Sequence, residues 1–164
     1  MTEGVLVIGY GNALRSDDGF GWHAAARLAD DPRLLGATVL QRHQLTPELA
    51  LDISQASLVV LVDARFGPSA GTIAVERLAS NAGQAAPMTH HLDPAGLVDL
   101  ANELYGRAPD VFLLSVGVRS VEAGDRLTPA VEAALPRVVE AVIELLASHA
   151  PRDRPVTPAG HSRA

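Results

Sequence analysis

The residues best suited to chemistry in this chain are carboxylates and imidazoles placed next to apolar runs. Asp17 and Asp18 stand side by side shortly after the run Val5 to Ile8, which leads into Gly9-Tyr10-Gly11-Asn12. Asp63 closes a second run, Ser57 to Val62. His90 and His91 lie in a polar loop just ahead of Asp93-Pro94. Adjacent side chains point different ways, so at most one imidazole of that pair can join the acids. Two carboxylates and one imidazole suit a divalent first-row ion such as nickel, zinc, iron or manganese, with positions left for water or substrate. Cysteine is absent, which excludes disulfides, a thiol nucleophile and any cysteine-held metal or iron–sulfur centre. No Gly-x-Ser-x-Gly elbow occurs. Hydrolysis on this scaffold would therefore rest on a metal, on carboxylates, or on both.

Each feature also has an ordinary use. Acids at a helix start gain about 0.3–1 kcal/mol from the dipole, and Ser16 or Asp17 could cap such a helix. Asp17 could equally serve as a general base. Asp63 could pair with Arg65. His23, His43, His149 and His161 suit packing or surface positions. Gly19 and Gly21 flank the helix start, where glycine costs roughly 1 kcal/mol against alanine. Something must offset that cost, and close approach of a substrate backbone is one candidate. Gly9-Tyr10-Gly11 opens like a dinucleotide fingerprint, but Leu14 takes the third glycine's place. Two acids would also face the pyrophosphate at the helix start, so a nucleotide site has little support.

The elements that must position these groups can be read from periodicity. Val5 to Ile8 is β-branched and lacks polar alternation, as a buried strand does. A helix follows from about Asp18 to Ala29, then a strand over 37–42. Thr46-Pro47 reads as a cap with proline in the first turn of a short helix reaching about Gln55. Ser57 to Val62 is a central strand ending on Asp63, and Thr72 to Arg77 alternates like an edge strand. Ser80 to Met88 reads as a loop. Asp93-Pro94 opens a helix ending near Gly106, and 110–116 forms the last strand. Thr128-Pro129 starts a final helix to about Ala150, bent at Pro136. Residues 1–150 form one domain, and residues 151–164, rich in proline, arginine and glycine, form a disordered tail. The order βαβαββαβα implies an α/β fold: a three-layer α/β/α sandwich around a mostly parallel twisted sheet of about five strands, one edge strand antiparallel. In such sheets ligands sit at the carboxyl ends of the strands.

Bulk properties narrow the partners. Of 164 residues 48% are hydrophobic and 20% charged, and the formal net charge is −6, values of a globular protein with no basic patch for nucleic acid or an anionic membrane. No signal segment or apolar run of spanning length occurs, so a cytoplasmic location is expected.

Four blocks, GYGNALRSDDGFG, LVVLVDA, MTHHLDPAGLVDLA and LLSVG followed by LTPAVEAALPRVVEAV, resemble in order those of the hydrogenase maturation endopeptidases. Together they span nearly all of residues 4–148. The resemblance implies an aspartyl-type protease that removes the C-terminal tail of a nickel–iron hydrogenase large-subunit precursor after nickel insertion. It further implies that the metal-contacting positions are Asp18, Asp63 and His90, that Asp18 and Asp63 are the catalytic acids, and that Ni2+ arrives with the substrate as the recognition signal. Two departures stand out. Asp18 occupies a position often held by glutamate, which brings the ion nearer the backbone. Arg42-His43-Gln44-Leu45 replaces a common Asp-Gly-Gly-Thr beside the expected cleft, where His43 could touch the substrate tail. The alternative reading is a metal-dependent docking or checkpoint module that binds the precursor without cutting it.

Overall fold

The computed structural model describes residues 4–67, 69–79, 92–119 and 121–149. Five strands form one sheet: β1 (Val5–Tyr10), β2 (Thr38–Arg42), β3 (Leu58–Phe66), β4 (Ile73–Leu78) and β5 (Asp110–Val118). Their order is β2-β1-β3-β5-β4, parallel except for β4, which runs antiparallel along β5 at one edge. The helices are α1 (Phe20–Ala29), α2 (Leu49–Gln55), α3 (Pro94–Tyr105), α4 (Pro129–Glu132) and α5 (Ala134–His149).

Side chains alternate across a strand, so each central strand feeds two apolar layers. Val5, Val7, Val60, Val62, Leu114 and Val116 face α1 and α5, meeting Phe20, Ala24, Leu28, Val138 and Val142. Leu6, Ile8, Val59, Leu61 and Val111 face α2 and α3, meeting Ile53, Leu97 and Ala101. The expected three-layer sandwich and its antiparallel edge strand are both present. Burial on two faces explains why these strands read as unbroken apolar runs.

Several boundaries differ from the sequence reading. β1 continues through Gly9 to Tyr10, and β3 runs past Asp63 to Phe66. The short second helix starts at Leu49, because residues 46–51 close as tight turns from Thr46, Pro47 and Glu48. Pro136 does not bend a continuous helix. The break falls earlier, at Ala133, and Pro136 sits in the first turn of α5. With no N–H to return to Glu132, the last residue of α4, proline is tolerated there and not in a helix interior. The proposed tail, 151–164, lies outside the described residues.

Candidate active site

Sequence-adjacent strands lie on opposite sides of β1: the chain leaves β1 for β2 on one flank and returns as β3 on the other. That reversal opens a crevice between the carboxyl ends of β1 and β3, the usual place for a ligand in an open α/β sheet. Asp18 and Asp63 flank it. The last β1–β3 pair is Gly9 with Val62, so Asp63 is the first β3 residue beyond that pairing. On its other side Asp63 pairs with Ser115 of β5.

Asp18 is carried by a 3-10 turn, Ser16–Gly19, immediately before α1. Its Oδ2 accepts the Asn12 N–H at 3.2 Å, and its carboxyl is partly buried. Gly11 has φ 149°, and a β-carbon there would run into the Asp18 carbonyl oxygen. Gly21 packs directly on the carbonyl oxygens of Tyr10 and Val62, and Gly19 on the Ala13 backbone. Internal close packing therefore explains both helix-start glycines, in place of an approaching substrate backbone.

Asp63 is also partly buried, and its Oδ1 accepts the N–H of Ala64 at 2.7 Å. Burial raises its pKa from 3.8 to about 6; the Tyr10 hydroxyl and Ala64 N–H oppose the rise, and the Asp18 charge adds to it. The pairing with Arg65 considered from sequence is not among the ion pairs of the described residues. Tyr10 follows Leu6 and Ile8 on the α2–α3 side of the sheet, and its hydroxyl is buried without a well-formed hydrogen bond. Burial first, then the negative charges of Asp63 and Asp93, hold that hydroxyl well above the ordinary tyrosine pKa. A buried phenol aimed at a carboxyl group thus lies beside the crevice.

Asp18 and Asp63 lie at the carboxyl ends of adjacent strands β1 and β3, near enough for the Asp18 charge to add slightly to the rise at Asp63. His90 and His91 lie outside the described residues, two and one positions before Leu92. Among the described residues no group of three histidine, aspartate or glutamate side chains could hold a metal ion. Asp93 caps α3 through its Oδ1, which accepts the Gly96 N–H at 2.7 Å. β2 ends at the same edge, where Arg42 pairs with Tyr10 and its carbonyl accepts the Gly11 N–H. In the following loop His43 and Gln44 are exposed while Leu45 is buried among the apolar side chains under α2.

Asp17 departs from both sequence readings. It caps neither the 3-10 turn nor α1, and it is 1% exposed. Its carboxylate binds Thr128 instead, which leaves no room for a base in contact with water. Thr128 correspondingly makes no side-chain cap on α4. Tyr10 and Thr128 were missed as site residues. Tyr10 carries a signal, since Ile8 and Tyr10 are two apart in a strand; Thr128 carries none, since its partner is 111 residues away.

A mostly parallel five-stranded sheet between two helical layers defines the class of fold, and solved structures share it. No protein-family model matches the sequence, nor does any curated protein. The hydrogenase maturating endopeptidase HybD from E. coli superposes with a TM-score of 0.71 at 24% identity, covering 88% of this chain and 92% of that one. The [NiFe] hydrogenase maturation protease HycI from Thermococcus kodakarensis gives 0.68 at 24% identity, covering 89% and 93%. A hydrogenase 2 maturation peptidase from a Thaumarchaeota archaeon gives 0.67 at 24% identity, covering 87% and 97%. The chain has the fold of these proteins over most of its length and of theirs. Among the described residues no helix is long and apolar enough to cross a membrane.

Proposed function

We propose that this chain is a hydrogenase maturation endopeptidase, which removes the C-terminal tail of a nickel–iron hydrogenase large-subunit precursor once nickel has been inserted. The observation that carries this reading is the placement of Asp18 and Asp63 at the sheet's switch point, within a fold shared with proteins named as hydrogenase maturation endopeptidases and proteases. The donor chemistry fits a substrate-borne Ni2+. Two hard carboxylates repel each other, and Asp63 resists ionisation; an arriving cation relieves both penalties. His90 supplies the third ligand in this reading, an imidazole that suits nickel. It is three residues from Asp93, whose charge is felt at Tyr10.

Asp18 and Asp63 then act by orienting. The ion on the precursor docks on the two carboxylates and His90, and the tail peptide is held in the crevice against water. Water adds to the scissile carbonyl, the C–N bond breaks, and the new amine leaves with a proton. In this reading His43, exposed in the loop after β2, touches the tail. The reaction belongs to the cytoplasm, where the precursor would be assembled.

Intact-mass spectrometry of the precursor is the test. The wild-type protein should shorten nickel-loaded precursor by one C-terminal fragment, and Asp18→Asn should leave it intact. A stable complex with no loss of mass would favour a docking or checkpoint module instead.

A further inference from the structure

Asp17 is a buried acid that the proposed reaction does not use. Its Oδ1 accepts the Thr128 N–H at 2.7 Å, and the Thr128 hydroxyl lies 3.0 Å from Oδ1 and 2.8 Å from Oδ2. The same two segments are joined at four further points. Ser16 N–H donates to the Gly124 carbonyl at 2.7 Å, and Gly124 N–H donates to that of Leu14 at 2.9 Å. The Ser16 hydroxyl donates to the Arg126 carbonyl at 2.9 Å, and Arg15 Nε to that of Val121 at 3.4 Å. Residues 121–128 thus form a strap laid along 14–17. Ser16 beneath it has φ 51°, the only left-handed non-glycine among the described residues. That conformation costs on the order of 1–3 kcal/mol and persists only where its surroundings impose it.

We infer that Asp17 and Thr128 are positioning residues: their buried contact, with the 121–128 strap, locks the turn so that the next side chain, Asp18, faces Asp63. Asp18 follows Asp17 directly, and among the described residues its carboxylate accepts one hydrogen bond, from the Asn12 N–H to Oδ2. Its direction is therefore set by the turn. Releasing the strap lets Ser16 relax to ordinary φ and swings Asp18 out of register with Asp63. A carboxylate ligand held by neighbours in this way typically loses roughly 10–100-fold in metal affinity when they are removed. The ligand part of this inference rests on the proposed function, whereas the positioning part stands on the contacts alone.

Two measurements on the full chain separate them. The first is amide hydrogen exchange at Asn12 and Ser16 in metal-free protein, against Val59 to Leu61 in the central sheet. The second is calorimetric titration with Ni2+ alone. Thr128→Val should speed exchange at Asn12 and Ser16 while leaving the sheet amides unchanged, and should weaken Ni2+ binding about tenfold or more. Thr128→Ser, which keeps the hydroxyl, should restore both. If the valine variant does not fold, Asp17→Asn, which keeps the shape, is read in the same way. Exchange at Asn12 and Ser16 unchanged in the variant, or quickened across the whole sheet, overturns the inference; so does failure of serine to restore it. Absence of Ni2+ binding by the wild type would count against the metal reading, and exchange would still decide the positioning role.

Discussion

Replacing Asp63 by asparagine should stabilise the metal-free fold at neutral pH while removing function. The Asp63 carboxyl is raised from 3.8 to about 6, chiefly by burial. Below pH 4 both folded and unfolded chains hold this proton, so the group imposes no penalty. As pH rises from about 4 to about 6 the unfolded chain releases it first, and the wild-type fold loses stability. Two pK units correspond to about 3 kcal/mol, and about 2 kcal/mol is expected once solvent screening at a partly buried group is allowed for. Asp18 adds to the penalty, whereas the Tyr10 hydroxyl and Ala64 N–H reduce it. Urea denaturation in EDTA, run for both proteins between pH 4 and pH 8, reads the effect. The stability of Asp63→Asn relative to wild type should grow by about 2 kcal/mol over pH 4–6 and level off above. A difference that stays constant with pH, or grows toward acid, would refute the assignment of a buried, destabilised carboxylate.

Other perturbations probe the scaffold around that group. Tyr10→Phe removes a buried hydroxyl that has no well-formed partner; near pH 4, where Asp63 is protonated, the metal-free protein should keep its stability or gain about 1 kcal/mol. Because that hydroxyl opposes the Asp63 shift, the same variant should push Asp63 higher still in an NMR titration. Gly21→Ala places a methyl group against the carbonyl oxygens of Tyr10 and Val62; loss of more than about 3 kcal/mol by denaturant melt, or failure to fold, is expected. Leu61→Ala, at a fully buried site in the layer under α2 and α3, should cost about 2–5 kcal/mol in the same melt.

The apolar runs of β1, β3 and β5 were plain in the sequence because strands buried on both faces need no polar alternation. Helix α3 was equally plain: Asp93 caps it, Pro94 opens it, and Gly106 closes it in the left-handed conformation. Pattern carried the Asp17-Asp18 pair and Asp63 to the carboxyl ends of two parallel strands, and the choice of Asp18 came from the resemblance alone. Pattern could not show that β3 continues past Asp63, since Asp63 and Arg65 interrupt the apolar run although Ala64 and Arg65 still pair with Val116 and Gly117. The split between α4 and α5 was hidden because the apolar spacing from Val131 to Leu135 crosses it without a gap. Asp17 was misread for another reason. A helix-start acid is ordinarily held by local backbone, but this one is satisfied by a threonine 111 positions away, and such a pairing leaves no local trace. The roles of Gly19 and Gly21 likewise depend on which carbonyl groups the fold brings against them.

The central claim is that Asp18 and Asp63 meet a nickel-bearing precursor and cut its tail. Incubating the protein with nickel-loaded and nickel-free large-subunit precursor, followed by intact-mass spectrometry, addresses it most directly. Loss of one C-terminal fragment from the nickel-loaded precursor alone, abolished by Asp18→Asn, is the predicted result. Equal cleavage of both precursors, or cleavage undiminished in the Asp18→Asn protein, would contradict it.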